Sequence, residues 1–318
     1  MKPFSIAAIQ MRVLPQNNVD ALCARIELTC AAFPWVQMVV LSELASFGSG
    51  VDHAQPLPGP VEDRYRRMAK RHRIWLVPGT LYERDGQDVF NTAPVIAPDG
   101  TVVRRYRKMF PFLPYEEGVT PGDEFVVFDV PDAGCVGVSI CYDMWFPETT
   151  RTLAAMGAEV VIHPSLTPTI DRDAEIAIAR AAAATNQLYF FDVNGLAAGG
   201  NGRSVVVDPA GTVLYQAGEG PQIIPLEIDF DRVRRQREAG LNGLGQMLKS
   251  FRDRAVDLAV YDRGREEEFP YLASLGPIEK PSRGSLVGLD RKTEAAEAAL
   301  VDRWDETGFH VDITSRKP

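Results

Sequence analysis

The chain of 318 residues is 45% hydrophobic, enough to bury a substantial core as one large α/β domain or as two smaller ones. A formal net charge of −9 argues against nucleic acid and against anionic membranes as partners, because both reward a basic face. Four cysteines without a CxxC pair exclude a disulfide-stapled miniprotein and fit a reducing, cytoplasmic setting, and the scattered histidines His53, His72, His163 and His310 give a zinc site little support.

Residues 5–10 read as a first strand, too short in apolar length for a signal peptide or a membrane span. Residues 18–33 carry apolar side chains at helical spacing, with Asn17 as a cap. A buried strand over 38–41 ends at Ser42-Glu43, and a basic-faced helix over 61–73 leads to a strand over 74–81. Residues 91–96 and 101–106 form a hairpin over Pro98-Asp99-Gly100, and an irregular, proline-rich loop runs from Lys108 to Gly122. Strands over 125–129 and 136–140 lead to Cys141. Pro147 then opens a helix over 148–156, which Gly157 ends. A strand over 159–162, an alanine-rich helix over 171–186 and a strand over 188–193 follow. A second hairpin pairs 204–207 with 212–215 over Asp208-Pro209-Ala210-Gly211.

The hairpins echo each other, since residues 95–102 and 206–213 match at five of eight positions. The apolar triplet before Ser42-Glu43 is likewise echoed by the one before His163-Pro164. Two halves of similar plan suggest a pseudo-twofold sandwich, with helices outside and two sheets packed inside. From about residue 232 the periodicity fails. A glycine-rich stretch over 240–245, a turn-rich one over 277–283 and an amphipathic helix over 292–304 make no independent core. The expected division is a domain over 1–240 and a C-terminal extension over 241–318 that packs on the domain or across a dimer interface.

The chemistry concentrates at strand ends. Cys141 follows a buried apolar run and precedes a helix start, beside backbone N–H groups that lower a thiol pKa and bind an oxyanion. Most free cysteines are simply small buried hydrophobes. Glu43 and Lys108, each after a strand, set this one apart: acyl transfer needs a nucleophile, a base and positive or N–H groups around the oxyanion.

These segments resemble the nitrilase superfamily of carbon–nitrogen hydrolases, which carries a Glu-Lys-Cys triad in this chain order. The matching stretches are Leu41-Ser42-Glu43-Leu44, Tyr106-Arg107-Lys108-Met109 and Cys141-Tyr142-Asp143-Met144-Trp145-Phe146-Pro147-Glu148, with Asn91-Thr92-Ala93 and Gly157-Ala158-Glu159 in support. The resemblance implies a four-layer αββα sandwich that pairs as αββα–αββα in a homodimer. It also implies a cysteine-dependent amidase that needs no metal or organic cofactor. Glu43 is then the base, Cys141 the nucleophile, and Lys108 with the Tyr142 N–H the oxyanion holders. A second glutamate commonly assists; Glu116 and Glu117 are both candidates, and in an extended segment only one of them faces the site.

Cys141-Tyr142-Asp143 is similar to the amidase and carbamoylase form rather than to the Cys-Trp-Glu of nitrilases proper. Trp145 stands where related enzymes place an arginine for a substrate carboxylate, so the expected substrate is a small, linear carboxamide with a neutral acyl group. An N-carbamoyl (ureido) substrate is the alternative, ahead of a nitrile substrate or a non-catalytic scaffold, against which the intact Glu43, Lys108 and Cys141 argue. Phe112, Tyr115, Trp145 and Thr167 are candidate pocket residues, and Arg172, Arg180 and Arg203 are the candidate carboxylate partners from elsewhere.

Overall fold

The structure is a computed structural model that describes residues 3–254, 256, 258–262 and 269–279. The first half runs β1 (Phe4–Gln10), β2 (Arg12–Val13), α1 (Val19–Ala32), β3 (Met38–Leu41), α2 (Pro60–His72), β4 (Trp75–Val77), β5 (Leu81–Asp85), β6 (Asp88–Ile96) and β7 (Val102–Arg107). The second runs β8 (Val126–Val130), β9 (Gly134–Val138), α3 (Pro147–Ala155), β10 (Val160–Ser165), α4 (Arg172–Asn186) and β11 (Tyr189–Asn194). Short strands β12 (Leu196–Ala197) and β13 (Gly200–Asn201) precede the hairpin β14 (Val205–Val207) and β15 (Val213–Gln216). The chain continues through β16 (Gln222–Ile228), α5 (Phe230–Ala239) and α6 (Met247–Asp253). Helix α7 (Pro270–Ala273) belongs to a second unit that begins at residue 264. Among the described residues no helix is long and apolar enough to cross a membrane.

Two sheets carry the core. One has the order β16-β1-β3-β4-β6-β5, with β7 paired to β6; the other has the order β15-β14-β11-β10-β9-β8. Side-chain alternation separates the layers. Ile6, Ala8, Met38 and Val40 face Val136, Val138, Ile162 and Phe191 between the sheets. Ala7, Ile9, Val39 and Leu41 point outward onto Leu22, Ile26, Tyr65 and Met68 of α1 and α2. Val161 and Phe190 meet Leu153, Ala179 and Ala183 of α3 and α4. The mixed α/β fold is thus helix, sheet, sheet, helix. The halves correspond: β3 and β10 are each the middle of a parallel triplet, and each triplet is extended by an antiparallel hairpin, β6–β7 on β4 and β14–β15 on β11.

Three segments differ from the sequence expectation. The strand expected over 74–81 is two strands, β4 and β5, because Pro78-Gly79-Thr80 breaks the ladder. Gly79 has φ +75°, and a Cβ there would lie 1.9 Å from the Ser42 carbonyl oxygen. Strand β16 went unread because Pro225 interrupts it; at the sheet edge, antiparallel to β1, a missing N–H is tolerated. Residues after 232 are not irregular at first, for α5 buries Phe230 and Val233 and its Asp229 cap accepts the Asp231 N–H. Arg234 of α5 pairs with Glu159, and its Arg237 donates to the carbonyls of Ala158 and Gln187. Helix α6 follows, with Leu248 packed against the outer core of the second sheet. The helix expected over 292–304 lies outside the described residues.

Candidate active site

Glu43 follows β3, Lys108 follows β7, and Cys141 opens a 3-10 turn, Cys141–Trp145, two residues beyond Ser139. The backbone around each is fixed locally. Glu43 N donates to the Ser165 carbonyl at the end of β10 (3.2 Å), and Leu44 N donates to Thr80 Oγ1 (2.8 Å). Lys108 N donates to the Asn91 carbonyl at 2.8 Å. Cys141 has φ +45°, a left-handed conformation uncommon for a side chain with a Cβ and one that clusters at functional turns.

The side chains converge. Lys108 Nζ donates to Glu43 Oε1 (2.9 Å) and to Glu116 Oε2 (2.6 Å). Asn91 Nδ2 bridges the same two carboxylates, at 2.8 Å to Glu43 and 3.1 Å to Glu116. Glu116 also accepts from Tyr82 Oη (3.3 Å) and from the Phe112 N–H (2.6 Å). The Cys141 thiol donates to the Leu166 carbonyl oxygen (3.9 Å) and interacts electrostatically with the Glu43 carboxyl. Glu43, Lys108 and Cys141 are all buried, at 2%, 1% and 8% exposed.

Burial sets the electrostatics, and the neighbours then divide the charge. Burial pushes the Glu43 carboxyl up, and Lys108 opposes that rise. Burial alone would lower the Lys108 ammonium; Glu43, Cys141 and Glu116 override it and hold the lysine well above its ordinary range. Glu116 is raised by burial and pulled below the usual carboxylate value by Lys108. The Cys141 thiol is pushed well above the ordinary thiol range by burial and by Glu43. The resting site therefore holds a neutral thiol near the Glu43 carboxyl, with a cation between two carboxyl groups. Such a thiol ionises as its proton is taken.

The sequence left Glu116 and Glu117 open. Glu116 enters the cluster, whereas Glu117 is exposed. The segment is not extended: Tyr115 N and Glu116 N both donate to the Phe112 carbonyl, and that turn directs Glu116 inward. Phe112, Tyr115, Tyr142 and Trp145 form a chain of rings, with centroids 4.9 Å (Phe112–Tyr115), 4.8 Å (Phe112–Tyr142) and 6.4 Å (Tyr142–Trp145) apart. Trp145 is 37% exposed and so is not core packing. Thr167 adjoins Leu166, but its hydroxyl is committed to Glu175 Oε1 (2.9 Å).

The three arginines considered as carboxylate partners are engaged elsewhere. Arg172 is fully buried against Asp192 (2.7 Å) and Glu175 (3.1 Å), Arg180 donates to the Gly211 carbonyl, and Arg203 pairs with Asp173. A separate cleft of about 520 Å³ between α1 and α2 is lined by the pairs Arg64–Asp20 and Arg71–Glu27 and contains none of the site residues.

Sequence reasoning missed the supporting groups. Asn91 and Tyr82 hold the carboxylates. Asp143 and Tyr106 brace the turn of Cys141, and His163 lies behind it with Nδ1 2.7 Å from Ser139 Oγ. Asn91, Tyr106 and Asp143 carried a signal, each lying in one of the matching stretches, whereas Tyr82 and His163 lay in none.

The sequence profile of the carbon–nitrogen hydrolase family matches residues 5–238. The chain is 30% identical over 281 residues to omega-amidase NIT2 of Homo sapiens, covering 81% of this chain and 97% of that protein. It is also 30% identical over 261 residues to omega-amidase NIT2 of Mus musculus, covering 75% and 93%. Among solved structures, Nit3 of Saccharomyces cerevisiae, a member of branch 10 of the nitrilase superfamily, superposes with a TM-score of 0.69 at 28% identity over 75% of this chain and 94% of that one. An amidase from Nesterenkonia sp. shares the fold, with a TM-score of 0.65 at 24% identity, 74% of this chain and 94% of that one being covered.

Proposed function

Because the chain belongs to the carbon–nitrogen hydrolase family, within the nitrilase superfamily, we propose that it is an amidase acting on carbon–nitrogen bonds other than peptide bonds, with a linear carboxamide as substrate. The observation that carries this reading is the buried contact of one ammonium with two carboxyl groups beside a thiol. Glu43 accepts the proton of Cys141, and the thiolate attacks the amide carbon. The oxyanion of the tetrahedral adduct rests against Lys108 and the Tyr142 N–H. Protonated Glu43 gives its proton to the departing ammonia, leaving a thioester on Cys141. The same carboxylate then activates a water that hydrolyses the thioester and returns free enzyme and carboxylate product. Glu116 keeps Lys108 oriented and charged.

The acyl group is neutral. Trp145 occupies the position at which a carboxylate clamp is expected, and Arg172, Arg180 and Arg203 all have partners. The wall of Phe112, Tyr115, Tyr142 and Trp145 favours an apolar or aromatic acyl chain. We further assign the chain to a homodimer in the cytoplasm, a setting that suits its four free thiols. The test is product analysis over a carboxamide panel and a ureido panel. Ammonia without carbon dioxide, from neutral carboxamides and not from their ω-carboxylate analogues, is the expected result. Carbon dioxide released with the ammonia would assign the ureido class instead. Cys141→Ala abolishes turnover with the fold intact; residual turnover in the purified variant contradicts the assignment.

A further inference from the structure

Asp143 is wholly buried two residues after Cys141, and among the described residues no lysine or arginine forms an ion pair with it. Three donors converge on its carboxylate. Oδ2 accepts from the Ile140 N–H (2.8 Å) and from Tyr106 Oη (2.7 Å), and Oδ1 accepts from the Phe110 N–H (2.8 Å). The sequence positions of these donors matter. Tyr106 stands two residues before Lys108 and Phe110 two after it, while Ile140 immediately precedes Cys141. One carboxylate therefore holds the lysine segment on both sides, by the Tyr106 side chain before it and the Phe110 backbone after it, and holds the backbone at the entry to the left-handed cysteine.

Resting on the amidase reading above, we propose that Asp143 is a positioning residue that keeps the Lys108 ammonium and the Cys141 sulfur at a fixed spacing by tying their two backbone segments to a single carboxylate. The residue type follows from the geometry. Both oxygens must accept at once, and an asparagine offers only one accepting oxygen. Its NH₂ would face either the Phe110 or the Ile140 N–H, donor against donor, while Tyr106 could turn its hydroxyl around. The ionised form is the working form. Among the described residues the titratable or charged groups that act on the carboxylate are Tyr106 and Lys108, both from the end of β7. Burial lifts the Asp143 carboxyl to about 6 even though the Tyr106 hydroxyl, which hydrogen-bonds to it, holds it down. Removing that hydroxyl raises it further, so more of the carboxyl is protonated at a given acid pH.

The experiment compares wild type, Asp143→Asn and Tyr106→Phe by kcat and KM on a neutral carboxamide, by the pH profile of kcat, and by the rate of Cys141 alkylation with iodoacetamide. Asp143→Asn, folded by circular dichroism, should lose about 100-fold in kcat with KM nearly unchanged, the signature of misplaced reacting groups. Tyr106→Phe should lose about tenfold, and its acid limb should move up by roughly one pH unit. A folded Asp143→Asn with wild-type kcat overturns the proposal. Should Asp143→Asn fail to fold, Tyr106→Phe decides: an unmoved acid limb with unchanged kcat overturns it. If wild type hydrolyses no carboxamide, the amidase reading fails by itself. Alkylation then tests the positioning alone, slower labelling in the variants supporting it and equal labelling overturning it.

Discussion

Lys108 is the residue that permits two carboxyl groups to share one buried pocket. Replacing it by methionine leaves Glu43 and Glu116 without a counter-charge; about 3–5 kcal/mol of stability should be lost along with all turnover, measured by urea denaturation and by ammonia release. His163 makes a second prediction. It is fully buried, and burial lowers its imidazolium to about 4 from the ordinary value of about 6.5. Because the folded pKa lies below the unfolded one, its contribution is present above pH 6.5 and is lost as pH falls towards 4. The loss should reach about 3 kcal/mol, seen as a fall in urea midpoint, and should be absent in His163→Asn. At this scale the sequence disclosed Glu43, Lys108 and Cys141, because their chemistry is written in residue type and strand-end position. It could not choose Glu116 over Glu117, since the choice depends on a turn closed at Phe112, and it gave Asp143 and His163 no role, because their roles lie in what they touch.

Elements were legible where periodicity was clean and illegible where proline or glycine broke it. Strands β1, β3, β9, β10 and β11 follow from their apolar runs. The break at Gly79 does not, although it holds the segment that carries Glu43: its Cα hydrogen lies against the Ser42 carbonyl, and Thr80 binds the Leu44 N–H. Gly79→Ala should therefore cost more than about 2 kcal/mol and depress kcat as well, measured by thermal unfolding and by amide hydrolysis. A variant of unchanged stability would show that β3 can shift to make room. Helix α5 was missed because its sequence is dominated by arginines, which hide the two apolar contacts of Phe230 and Val233. Phe230→Ala should cost about 3–5 kcal/mol in urea denaturation while leaving KM unchanged, because its ring packs on Phe4 and on none of the proposed reacting groups.

Residues 4–216 repeat one plan twice, and the reacting groups come from both copies: Glu43 and Lys108 from the first sheet, Cys141 from the second. The echoed hairpins and apolar triplets made that duplication readable, since corresponding strands occupy corresponding places in the two sheets. Less readable was the chain beyond residue 240, where composition names no partner for its apolar residues. Sedimentation equilibrium should give twice the mass of one chain; a monomer at micromolar concentration would remove the dimer assignment and leave the chemistry standing. That chemistry is tested most directly by mass spectrometry of the chain mixed with a slow neutral carboxamide and quenched during turnover. The expected spectrum carries one added acyl group on the peptide containing Cys141, lost on longer incubation and absent from Cys141→Ala. Steady ammonia release with an unmodified Cys141 at every quench time, undiminished in Cys141→Ala, would contradict the account.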